Sequence, residues 1–128
     1  MQRILVIDDN EKICTLFSRF LVGQGYIVDC AADGKLGLRQ LEVEPPDLVI
    51  TDIMMPETDG LEVVLAIRGK KLSIPVIAIS GGMASMPIDF LPMVKKFGAC
   101  KVLYKPVDLQ TLLDVVKQLL EAAPNESE

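Results

Sequence analysis

Asp8 and Asp9 stand side by side directly after the apolar run of residues 4–7, and Asp52 closes a second apolar run at residues 47–51. Two adjacent carboxylates repel each other, and neighbouring like charges raise one another's pKa. Such a cluster needs either open solvent or a cation. Lys105, at the end of the stretch KVLYKP, is a compact cation on a long stem, and Ser80 ends the run IPVIAIS with a hydroxyl that donates a hydrogen bond. Acids, an ammonium and a hydroxyl with no His anywhere exclude Ser-His catalysis and His-based metal sites. An all-oxygen ligand set favours Mg²⁺ over zinc. Mg²⁺ takes one or two carboxylates together with phosphate oxygens, so the cluster points to phosphoryl chemistry.

The elements that must position these groups alternate along the chain. Short Val/Ile-rich runs predict strands over 3–7, 26–30, 47–51, 74–79 and 100–104. Ile13, Leu16, Phe17, Phe20 and Leu21 form one apolar stripe of a first helix that stops at Gly23 and Gly25. A second helix over 34–43 follows Asp33 as its cap and ends before Pro45 and Pro46. A third is expected over 61–68 and a fourth over 85–97. The last follows Asp108 as its N-cap and carries Leu109, Leu112, Leu113, Val116, Leu119 and Leu120 on one side.

Five strand–helix units in succession predict an α/β, doubly wound (βα)5 sandwich of three layers, flavodoxin-like, with parallel strand order 2-1-3-4-5. In that order the first and third strands are neighbours, and ligands bind at their carboxyl ends. Asp8, Asp9 and Asp52 then converge on one crevice, with Ser80 and Lys105 delivered by the fourth and fifth strands. An X-Pro bond takes the cis form at modest cost, so Lys105–Pro106 is expected to be cis and to turn the chain sharply.

The length of 128 residues fits one domain, set at residues 1–122 with a disordered tail at 123–128. The apolar share of 50% fits a sheet covered on both faces. A net charge of −5 argues against direct nucleic-acid binding. With no apolar run long enough for a bilayer and no signal peptide, no membrane contact and a cytoplasmic location are expected. Cys14, Cys30 and Cys100 read as buried free thiols in a reducing compartment.

Taken together, acid-acid after the first strand, DLVITDIMMPETDG around the third, Ser after the fourth and Lys-Pro after the fifth resemble the receiver domain of bacterial two-component response regulators. The resemblance covers nearly the whole chain. It implies that Asp52 is the phosphoacceptor and Asp9 the direct Mg²⁺ ligand, with Asp8 acting mainly through water. It further implies that the backbone carbonyl of Met54 is a ligand, that Ser80 is a switch hydroxyl and that Lys105 contacts the phosphoryl group. A histidine kinase or histidine phosphotransfer protein would supply the phosphoryl group from a phosphohistidine. The domain would then be a signalling switch rather than a conventional enzyme, assisting its own phosphorylation and dephosphorylation. Its output would pass to a downstream effector protein or to an effector domain outside this chain, with a homodimer left open.

The chain departs from the family pattern at Val102, where an aromatic switch residue is common; Tyr104 stands next to Lys105 instead. Gly81 and Gly82 after Ser80 are expected to leave the entrance of the site open, and Met54 to put an apolar side chain where attacking water would pass. Competing expectations are a phosphorylation-independent pseudo-receiver, a haloacid-dehalogenase-like phosphohydrolase and a flavodoxin-like FMN binder. The second wants Asp-x-Asp where Asp8 and Asp9 are adjacent. The third wants a phosphate loop where this chain places acids.

Overall fold

The computed structural model describes residues 2–52, 66–67, 74–80 and 101–126. Its elements are β1 (Arg3–Ile7), α1 (Glu11–Gly23), β2 (Ile27–Ala31), α2 (Gly34–Val43), β3 (Leu48–Asp52), β4 (Val76–Ser80), β5 (Lys101–Tyr104) and α3 (Leu109–Glu126). The strands form one parallel sheet in the order β2-β1-β3-β4-β5. The expected doubly wound α/β architecture is therefore the observed one.

Side chains alternate across a strand, so each strand feeds both faces of the sheet. Ile4, Val6, Leu48, Ile50, Ile77 and Ile79 pack with Phe17 and Leu21 of α1 and with Leu112 and Val116 of α3. Leu5, Ile7, Val49 and Val76 pack on the other face with Leu41 of α2 and with Ile67. These are two cores divided by one sheet. The residues of β1 and β3 are almost all buried, whereas β2 and β5 at the edges are partly open.

Helix starts follow capping chemistry. Asp33 accepts a bond from Leu36 N (2.8 Å) and Asp108 from Thr111 N (3.0 Å), as the sequence predicts for both. In α1 the cap is Asn10, which accepts from Lys12 N and Ile13 N. Neither Asp8 nor Asp9 serves as that cap.

Some boundaries differ from the sequence reading. β2 and β3 sit one residue later than expected, at Ile27–Ala31 and Leu48–Asp52, because pairing with β1 sets the ends of β2 and pairing with β4 carries β3 on to Asp52. On α1, Cys14 is buried and Leu16 is 47% exposed, so the buried stripe is rotated from the one read by hydropathy. Cys30 is exposed rather than buried, on the edge strand β2. Helical backbone continues to Glu126, beyond the boundary read at Ala122. Ala66 and Ile67 are helical, within the third expected helix. The rest of that helix, the fourth expected helix, Met54, Gly81, Gly82 and Cys100 lie outside the described residues.

Candidate acidic site at the carboxyl ends of the central strands

Register builds the site. Ile7 of β1 lies level with Thr51 of β3, so the next residue of each chain, Asp8 and Asp52, emerges at one height on adjacent strands. Both continue the rows of Ile4, Val6, Leu48 and Ile50 and so face the layer of α1 and α3. Both are buried, at 2% and 4% exposure, while Asp9 is exposed. One carboxylate oxygen from each of Asp8, Asp9 and Asp52 lies within 4.8 Å of the others.

Lys105 comes from two strands away. Asp52 pairs with Ile79, which pairs with Leu103, and two strand spacings amount to about 10 Å. Only a long stem bridges that gap. Lys105 Nζ donates to Asp52 Oδ2 at 3.1 Å and lies 3.5 Å from Asp8 Oδ2. The Lys105–Pro106 peptide is cis, as expected. Ser80 ends β4, its backbone level with Tyr104.

The electrostatics follow from burial. Burial is the main force pushing the Asp8 carboxyl above its usual range, and the charges of Asp52 and Asp9 push the same way. The backbone N–H of Asn10, bonded to Asp8 Oδ1 at 2.8 Å, and the charge of Lys105 oppose it without prevailing. For Lys105, burial opposes the charge. The hydrogen bond to Asp52 and the charges of Asp52 and Asp8 outweigh it, and the ammonium is held above its usual range.

Three carboxylates and one ammonium sum to a charge of −2 when all are ionised. A divalent cation balances that sum, and an all-oxygen set of this kind suits a hard cation such as Mg²⁺. The donor set therefore fits the ion that the sequence implied. Asn10 was not singled out in the sequence, yet it ties the α1 cap to Asp8; an Asn just before the first helical residue was the signal for it.

Comparison with known proteins finds relatives of the sequence and of the fold. The family model for the response regulator receiver domain matches residues 4–117. The alkaline phosphatase synthesis transcriptional regulatory protein PhoP of Bacillus subtilis is 42% identical over 79 residues, covering 62% of this chain and 33% of that protein. The response regulator ArlR of Staphylococcus epidermidis is 32% identical over 125 residues, covering 98% of this chain and 55% of that protein. This chain thus spans about half the length, or less, of these two relatives. Among solved structures, a CheY-like response regulator receiver domain protein from Methanospirillum hungatei superposes with a TM-score of 0.91 at 27% identity, over 98% of each chain. Among the described residues no helix is long and apolar enough to cross a membrane.

Proposed function

This chain belongs to the response regulator receiver domains of two-component systems, and from that premise we propose that it is a Mg²⁺-dependent phosphoacceptor switch. The observation that carries the reading is the contact of Lys105 Nζ with both Asp52 and Asp8, beside carboxylate oxygens of Asp8, Asp9 and Asp52 gathered within 4.8 Å.

In this reading a histidine kinase or histidine phosphotransfer protein presents a phosphohistidine. An Asp52 oxygen attacks phosphorus, the P–N bond breaks, and an acyl phosphate forms on Asp52. Phosphoryl transfer spreads charge over the equatorial oxygens, so catalysis is positioning and charge stabilisation. Lys105 supplies a fixed cation at Asp52 Oδ2. A bound Mg²⁺ would be held by Asp8, Asp9, Asp52 and the Met54 carbonyl and would neutralise their charge. Ser80, at the end of β4, is the hydroxyl suited to donate to a phosphoryl oxygen, and its movement toward that oxygen would carry the signal outward. Water later hydrolyses the acyl phosphate. The signal passes to an effector protein or to an effector domain outside this chain.

Incubation with acetyl phosphate and Mg²⁺, followed by intact mass measurement, tests this. We expect one added phosphoryl group, abolished by chelating the metal and absent from Asp52→Asn. A chain that gains no phosphoryl group from any donor would be a pseudo-receiver that acts by binding alone.

A further inference from the structure

Two thiols far apart in sequence meet between α1 and β2, outside the acidic cluster. Cys30 Sγ donates to the backbone carbonyl oxygen of Cys14 at 3.5 Å, and Cys14 Sγ donates to the Asp8 carbonyl oxygen at 3.3 Å. Cys14 is buried and Cys30 is exposed. Both line a surface groove of about 580 Å³ shared with Asp9, Glu11, Ser18 and Arg19. The groove therefore gives a small reagent access to Cys30, and the Cys14 thiol stands within hydrogen-bonding reach of it.

We propose that Cys14 and Cys30 form a reversible disulfide, which makes the groove between α1 and β2 a covalent modification site for low-molecular-weight disulfides. The mixed charges of Asp9, Glu11 and Arg19 suit a zwitterionic peptide disulfide. Hydrogen bonding between the two thiols lowers Cys30 below the usual thiol range and pushes Cys14 above it, so Cys30 is the thiol that reacts first.

The Cys30 thiolate attacks one sulfur of the reagent, the reagent's S–S bond breaks, and one thiolate leaves. Cys14 then attacks the Cys30 sulfur, the mixed S–S bond breaks, and a second reagent thiolate leaves. The protein thiols lose two electrons, the reagent disulfide gains them, and the two protons end on the two released thiols. Oxidised Cys14 no longer donates to the Asp8 carbonyl, so the bridge also removes one tie beneath the acidic site.

The test uses the full chain with glutathione disulfide, followed by denaturing alkylation, intact mass and tryptic mapping. We expect one alkylated thiol in place of three, no retained glutathione, and the peptides covering residues 13–19 and 20–35 joined until dithiothreitol is added. Cys100→Ser should form the same bridge. Cys14→Ala should stall with one glutathione on Cys30. Accumulation of the Cys30 adduct in the unmutated chain, a bridge that includes Cys100, or three alkylated thiols would each overturn the proposal. These readouts need no phosphorylation, so they stand or fall separately from the phosphoacceptor reading.

Discussion

Asp8 is the residue on which the opposing demands of the site fall. It is buried, it faces Asp52 and Asp9, and Lys105 and the Asn10 amide only partly compensate it. A carboxyl held above its ordinary value binds its proton more tightly in the folded chain than in the unfolded one. Its stabilising share is complete below the unfolded-state pKa and is lost as pH rises through the folded-state value. The metal-free chain should therefore lose stability relative to Asp8→Asn as pH climbs above the ordinary aspartate value of 3.8, and the difference should level off once Asp8 is ionised. Urea midpoints of the two chains across that range measure it, and a difference drifting the other way would show that burial does not govern Asp8. The identities of Asp8, Asp9, Asp52 and Lys105 were legible in sequence because their types and strand-end positions are local properties. The hydrogen-bonded thiols were not, because Cys14 and Cys30 meet only once α1 lies on β2.

At the scale of elements, Gly37 shows how closely α2 lies on the sheet. A Cβ there would fall 2.8 Å from Ile7 Cγ1 and closer still to Ile7 Cδ1. Overpacking of this kind costs about 1–3 kcal/mol, while replacing a helical Gly by Ala returns about 1 kcal/mol. We expect Gly37→Ala to lose about 1 kcal/mol net in urea unfolding, with Ile7 forced into another rotamer. An unchanged midpoint would mean that Ile7 yields freely. Element type was readable from periodicity and caps: β1 and α2 fall where the sequence places them, and Asp33 and Asp108 cap as expected. What hydropathy could not locate was the rotation of α1. Cys14 and Leu16 differ little as apolar residues, and only the position of the sheet decides which is covered.

At the scale of the molecule, β1, β3 and β4 have strand partners on both sides, whereas β2 and β5 are the edge strands of the described sheet. Native-state hydrogen exchange should find the slowest amides in Ile4–Ile7 and in the interior of β3 and β4, with β2 and β5 opening earlier. Uniform protection across all five strands would contradict this ordering. Strand order was inferable because five parallel strand–helix units have few ways to close, while the exact register needed the folded sheet. The division of the interior has a further consequence. Asp8 and Asp52 extend rows that belong to the core under α1 and α3 and not to the core under α2. Among the described residues the sheet therefore separates the side from which these two acids rise from the side packed by Leu41 and Ile67. Apolar replacements beneath α2 can be spent on toughness or solubility, whereas equal replacements beneath α1 and α3 retune the acids themselves.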